Sequence, residues 1–356
     1  MKKQWFFTFC TLAFPVMGGA SCLEAPKLSS PKVVEVSSDL LYATVAPILQ
    51  QRLETIHYNR TIPVLQFIEH YKKAKKLDPS ITLLNGFRTF PYQCTPEKNG
   101  GPCYVLSLDM LHHIPKEYSP YLALAVVPQK YQQLAFPQFV HTAVLIAFEN
   151  REESGYLLLD PSFDFAQPIL LKRGEGPVYY TNCHQEVSKF TLEGDEIFCE
   201  MQTGSKESII VYSTKKVDNP IECSAAPMVL ADRKLAIVTR DKNGNHKAQC
   251  SFELNKNQFN WSYQGVRQPP ISFENLLKGE LPPPFFIEAL GQSQKEFNAM
   301  AIEILTETTL LDALYIEYLE YLYETKDTSV TGPLDFEQIS KTLSLMSQNQ
   351  ELLYKK

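Results

Sequence analysis

Two apolar runs separated by one short polar break constrain this chain more than anything else in it. Ala143-Val144-Leu145-Ile146-Ala147-Phe148 has no polar side chain, and Tyr156-Leu157-Leu158-Leu159 resumes the pattern after Glu149-Asn150-Arg151-Glu152-Glu153-Ser154-Gly155. Runs this short and this rich in β-formers are buried strands, and the polar residues between them form a reversal. Pro161 stops the second strand. An antiparallel hairpin follows, with His141 heading its first strand and Asp160 closing its second. A reversal centred between Asn150 and Arg151 sets His141 directly opposite Asp160, with Cβ atoms about 5 Å apart on one face. A slip of one residue would turn the two side chains to opposite faces.

A nucleophile is supplied upstream. Asn99-Gly100-Gly101 is a tight turn, Pro102 suits the first position of a helix, and Cys103 stands in that helix's first turn. Leu106, Met110, Leu111 and Ile114 recur on the face of Cys103, and Pro115 ends the run. Backbone N–H groups without acceptors and the positive end of the helix dipole favour thiolate there, and the same groups can hold an oxyanion. A thiol, an imidazole to take its proton and a carboxylate to orient that imidazole make a Cys103-His141-Asp160 triad. Asp164 is the substitute orienter if the strand runs further, and His112-His113 lies two turns beyond Cys103 in a capping or surface position.

Around this site the chain divides by texture. Residues 22–130 are expected to be helical and to carry Cys103: Leu40, Leu41, Val45, Ile48 and Leu49 make one stripe, and Leu65, Ile68, Tyr71 and Ala74 another. Residues 131–268 are β-rich and carry His141 and Asp160, with Asp241-Lys242-Asn243-Gly244 as a hairpin turn. Residues 269–356 return to helix, beginning after a proline-rich stretch. Phe297, Met300, Ala301, Ile304, Leu305, Leu311, Leu314 and Tyr315 form a stripe there that packs on its own domain, and a last helix is expected near Phe336 to Leu353. The fold class is therefore α+β, an antiparallel sheet or barrel between helical regions.

Gly-Gly-x-Cys before a helix, a His at the head of a strand and Asp160-Pro161-Ser162-Phe163 after the next strand resemble the arylamine N-acetyltransferases. Their triad belongs to the wider transglutaminase-like and papain-like cysteine enzymes. The resemblance runs from about Leu84 to Phe259. It takes in Gln167-Pro168-Ile169-Leu170-Leu171, similar to the start of the family's barrel domain, and Val217 to Pro227, where the family has an Asn- and Ser-rich loop. It implies a papain-like or transglutaminase-like core, with Cys103 as acyl acceptor, His141 as base and Asp160 as orienter. It also implies a small acyl donor such as an acyl-coenzyme A and an amine acceptor, with no permanently bound cofactor. Lys98-Asn99 stands where the family has an Arg before the Gly pair, Val105 replaces an acidic or amide residue, and Asp-Pro-Ser-Phe is nearer to transglutaminase cores. These differences keep open a transglutaminase-like peptidase or deamidase acting on peptide or protein amides, and a non-catalytic binding protein on the same scaffold.

Lys2-Lys3, an apolar segment from Trp5 to Met17 and small residues up to Ser21 form a signal peptide over residues 1–21, so the expectation is a secreted or cell-envelope protein. Gly19-Ala20-Ser21-Cys22 is a weak lipoprotein-like site. The net charge of −6 argues against nucleic-acid and anionic-lipid partners. No cysteine pair has the close spacing of a zinc site, so no metal is expected. With Cys103 kept as a free thiol and Cys10 in the signal, Cys22, Cys94, Cys183, Cys199, Cys223 and Cys250 are left for as many as three disulfides; free cysteines in a reducing compartment are the alternative. Asn59-Arg60-Thr61 and Asn260-Trp261-Ser262 match a glycosylation acceptor pattern.

Overall fold

The computed structural model describes residues 28–82, 85–86, 90, 100–126, 141–163, 165–182, 186–203, 206–217 and 234–325. The expected signal segment, the lipoprotein-like Cys22, Asp164 and the expected last helix lie outside these residues. The long helices of the first part of the chain are α1 (Ser38–Thr55), α2 (Thr61–Leu77) and α3 (Cys103–His113). Ser37 caps α1 by accepting a hydrogen bond from the Leu40 amide. Leu41, Val45, Leu49 and Leu53 make its buried stripe, whereas Leu40, expected in that stripe, is 57% exposed. A 3.6-residue period places positions 41, 45 and 49 along one line and turns position 40 away from it.

Short strands punctuate this helical region: β1 (Leu28–Ser29), β2 (Val34–Glu35), β3 (Tyr58–Asn59) and β4 (Tyr121–Val126). Residues 22–130 are thus not uniformly helical, and β4 belongs to the main sheet. That sheet continues with β5 (His141–Glu149), β6 (Ser154–Leu159), β7 (Ile169–Lys172), β8 (Val178–Thr181), β9 (Val187–Glu193), β10 (Glu196–Thr203) and β11 (Lys206–Ser213). Its order is β7-β6-β5-β4-β11-β10-β9-β8, with β2 added parallel to β5. The end strands β7 and β8 come back together, so the sheet is nearly closed. The short β12 (Lys216–Val217) pairs with β1.

Both faces of β5 are covered, which is why its sequence lacks polar alternation. Val144, Ile146 and Phe148 point to a core shared with α1 and α3, through Leu41, Val45, Leu49, Leu108 and Met110. Ala143, Leu145 and Ala147 point into the curled sheet, against Tyr156, Leu158, Phe190, Ile197 and Tyr212. Each fully buried large side chain in these two layers contributes about 1.5–3 kcal/mol. Arg52 of α1 also holds Asp109 of α3 through two hydrogen bonds, of 2.7 and 3.0 Å.

A second antiparallel sheet follows: β13 (Lys234–Arg240), β14 (His246–Glu253), β15 (Gln258–Tyr263), β16 (Val266–Arg267) and β17 (Ile271–Ser272), with β3 along the free edge of β13. The turn expected at Asp241–Gly244 links β13 to β14 and is closed by the Gly244 amide donating to the Asp241 carbonyl at 3.0 Å. The helices α4 (Phe273–Leu277), α5 (Pro284–Ala289), α6 (Gln294–Thr306) and α7 (Thr308–Thr325) pack over this sheet together with α2. Phe297, Ala301, Ile304, Leu305, Leu311, Leu314 and Tyr315 are buried there, so the stripe packs against the sheet and α2.

Cys103, Cys199 and Cys250 are buried free thiols. That removes Cys199 and Cys250 from the expected disulfide set: each lies inside a separate strand of an apolar core, and Cys94, Cys183 and Cys223 lie outside the described residues. Asn59 is 0% exposed, and its side-chain oxygen accepts from the Thr61 amide and hydroxyl at 3.0 and 2.6 Å. It caps a turn and is no acceptor for a glycan.

Candidate active site

The hairpin that carries His141 and Asp160 closes two residues out of the expected register. The Asn150 side-chain oxygen accepts from the Glu152 and Glu153 amides at 2.8 and 2.9 Å, which makes Arg151 and Glu152 the centre of the turn. The ladder then pairs Glu149 with Ser154 and Val144 with Leu159. Asp160 falls past the last pair, diagonal to His141 rather than opposite it. A shift by two residues preserves the face on which each side chain points, and the imidazole spans the diagonal. His141 Nε2 donates to Asp160 Oδ2 at 2.6 Å.

Asp160 is held at both oxygens. Oδ1 accepts from the Ser162 and Phe163 amides at 3.1 and 3.4 Å, an Asx-type turn that the following proline starts. Oδ2 also accepts the Tyr212 hydroxyl at 2.9 Å. The Phe163 ring stands edge-on to the imidazole, with centroids 4.7 Å apart.

Cys103 reaches the same place from the opposite layer. Pro102 lies just before α3 rather than inside it, and Cys103 is the first helical residue. Ser107 Oγ donates to the Thr142 carbonyl at 2.7 Å, tying the second turn of α3 to the residue after His141. The glycine pair ahead of the helix has a packing reason. Gly100 adopts φ +90°, and a Cβ there would come 1.8 Å from the His57 carbonyl oxygen; a Cβ on Gly101 would come 2.7 Å from Val105 Cγ1. Gly101 instead donates to the His57 carbonyl at 3.1 Å and accepts from the Asn59 amide at 2.8 Å.

Cys103, His141 and Asp160 are each only 1% exposed. Burial by itself would drive the proton off His141. Electrostatic attraction to Asp160 and to the Cys103 sulfur, together with the Asp160 hydrogen bond, outweighs it and raises the pKa to about 10. With Nε2 turned to Asp160, the ring nitrogen left to serve the thiol is Nδ1. His141 and Asp160 are therefore in direct contact, with Cys103 close enough to act on the ring, and all three are buried where charge–charge interactions are stronger than in water. His112 and His113 do not join them: both face solvent, and His113 Nδ1 donates to the Asp109 carbonyl at 2.8 Å.

Two residues of the site escaped the sequence reading. Tyr212 stands in register with Ala125, which in turn pairs with His141, so phenol and imidazole flank one small side chain on adjacent strands. Arg240, 4% exposed, donates to the Pro161 and Ser162 carbonyls at 3.0 and 2.8 Å and so clamps the turn that carries Asp160. A single strand, β13, therefore anchors both halves of the site. Its Arg240 holds the Asp160 turn, and its edge carries β3, which is bonded to Gly101. Neither residue sits in a local motif; only the long-range pairing brings them in.

No protein-family model matches the chain, and no curated protein matches its sequence. Among solved structures the chain is similar to arylamine N-acetyltransferases. For the Mycobacterium smegmatis enzyme the identity is 14%, over 78% of this chain and 94% of that one, with a TM-score of 0.44. The Salmonella typhimurium enzyme gives 12%, 75%, 92% and 0.45 in the same order. The Mycobacterium tuberculosis enzyme gives 14%, 80%, 95% and 0.44. Among the described residues no cluster of three or more His, Cys, Asp or Glu side chains is arranged to hold a metal ion. No described helix is long and apolar enough to cross a membrane.

Proposed function

We propose that this chain is a cysteine-nucleophile acyl-transfer enzyme, with Cys103, His141 and Asp160 as its catalytic residues on a transglutaminase-like arrangement of helix and sheet. The observation that carries the proposal is the buried hydrogen bond from His141 Nε2 to Asp160 Oδ2 at 2.6 Å, in a ring whose pKa is raised by Asp160 and Cys103.

In the resting site the thiol proton resides on His141, leaving a thiolate and an imidazolium. The thiolate attacks the acyl carbonyl. The oxygen that becomes negative is received by first-turn amides of α3, which the helix itself leaves without acceptors. As the tetrahedral adduct collapses, the imidazolium gives its proton to the leaving group and an acyl-thioester remains on Cys103. An amine then attacks that thioester and gives its proton to His141, and the thiolate leaves. The product is an amide and the resting ion pair is restored. Water in place of the amine gives hydrolysis. Asp160 holds the ring in the orientation both steps need.

The favoured substrates are a small acyl thioester, such as an acyl-coenzyme A, and an arylamine. A second reading is a deamidase or peptidase on peptide amides. It is favoured by the Asp-Pro-Ser-Phe turn and by the export proposed from residues 1–21, since acetyl-coenzyme A is not found outside a cell.

The test is a single-turnover reaction with an activated acyl ester, followed by mass spectrometry of the intact chain and its peptides. One acyl group per chain on Cys103, absent in His141→Ala, supports the proposal; no acylation of Cys103 refutes it. Acetyl transfer from acetyl-coenzyme A to an aromatic amine, against ammonia release from glutamine peptides, separates the two readings.

A further inference from the structure

The same Asp160 oxygen that accepts from His141 also accepts from Tyr212, 52 residues further along the chain. The phenol is completely buried. Burial, reinforced by the nearby Asp160 charge, keeps its pKa well above the ordinary tyrosine value, so the hydroxyl stays a donor throughout the working pH range. Its ring stands edge-on to the imidazole at 6.2 Å between centroids, with Ala125 between them on the intervening strand. A phenol that merely filled the core would not need its oxygen aimed at the carboxylate oxygen that orients the base.

We infer that Tyr212 is a positioning residue of this site: by sharing Asp160 Oδ2 with His141, its hydroxyl sets how strongly the carboxylate holds the imidazolium. The inference rests on the proposed function. In the thiolate–imidazolium form the three catalytic groups carry one net negative charge in a dry interior, a state that is costly without donors around it. Among the described residues, these groups face the pair from the neighbouring elements. Cys103 comes from α3 and Tyr212 from β11, while Cys199 of β10 is kept a neutral thiol by burial and by Asp160. Arg240 of β13 acts through the Pro161 and Ser162 carbonyls, and the Ser162 and Phe163 amides take the other carboxylate oxygen. Tyr212 is therefore the side-chain donor that competes directly with His141 for Oδ2. A stronger donor there draws charge from the carboxylate and loosens its hold on the ring proton; removing the donor tightens that hold.

The experiment follows the His141 ring by 15N–1H NMR through a pH titration of the full chain. Tyr212→Phe keeps the ring and loses the donor, so the pH at which His141 gives up its proton rises, by about one unit on the scale of a single charge-assisted hydrogen bond. Site-specific 3,5-difluorotyrosine at position 212 is a stronger donor and moves the midpoint down. Opposite shifts from two nearly isosteric side chains support the inference, because a structural role would not reverse sign. Equal midpoints in all three proteins, or shifts in the same direction, overturn it. Should Tyr212→Phe fail to fold, the fluorinated protein alone decides by the direction of its shift. A wild-type His141 that is already neutral at pH 8 refutes the proposed ion pair instead, so the two failures are distinguishable.

Discussion

Replacing Gly100 by alanine isolates the contribution of the turn that delivers the nucleophile. The new Cβ would stand 1.8 Å from the His57 carbonyl oxygen and 2.6 Å from its carbon, both of them backbone atoms that no rotamer change can move. An ordinary carbon–oxygen contact is roughly 3.3 Å, so turn and strand must part by roughly 1.5 Å. That displacement breaks the two backbone bonds at Gly101, of 3.1 and 2.8 Å, at about 1 kcal/mol each. Holding an L-residue at φ +90° costs about 1–2 kcal/mol more. The sum, about 3–4 kcal/mol, is a large share of the roughly 5–15 kcal/mol by which a typical protein is stable. Gly174 supplies the control, since it has φ +80° and open space around the missing Cβ. Gly174→Ala carries only the backbone cost. Urea denaturation of both variants, with the Cys103 alkylation rate measured alongside, reads the difference. Gly100→Ala should lose more stability by about 2 kcal/mol and should also slow alkylation. Equal losses in the two variants would refute the packing argument.

Two further outcomes follow from the same geometry. His141 keeps its proton up to about pH 10 in the folded protein, whereas an ordinary histidine releases it near 6.5. A value raised by folding stabilises the native state fully below pH 6.5, and that contribution fades as pH climbs from there to about 10. The urea midpoint of the wild type should therefore fall across that window, and Asp160→Asn should flatten the fall; parallel curves for the two proteins would contradict this. Arg240→Met strips charged donors from the Pro161 and Ser162 carbonyls, which should cost about 3 kcal/mol in urea denaturation and slow Cys103 alkylation. A loss below about 1 kcal/mol would show that the Asp160 turn holds itself.

Much of this arrangement is legible in the residues before any coordinates. The apolar hairpin, the glycine turn and the helix that starts at Cys103 are local patterns, and each corresponds to an element of the fold. The side-chain parity that brings His141 and Asp160 to one face was also readable, because it depends only on whether the register shift is even or odd. The register itself was not. Asn150 moved the centre of the turn by one residue through its own side chain, and the choice among polar residues in a seven-residue break is decided by such bonds. The strand Tyr121–Val126 is not legible because the seven apolar residues between Pro120 and Pro128 carry no period that separates strand from helix. Tyr212 and Arg240 had no local signature: each acts through a partner 52 or more residues away, and only the pairing of β11 with β4 and of β13 with β3 brings them to the site.

If His141 makes one particular thiol reactive, competition among three equally buried thiols measures the effect. Cys103, Cys199 and Cys250 are all free and all within 1% of complete burial. Native protein treated with iodoacetamide near neutral pH, with each cysteine followed by peptide mass spectrometry, gives their relative rates. Cys103 should be labelled well ahead of the other two, and His141→Ala should abolish its lead. Labelling of all three together, only as the chain unfolds, would contradict it.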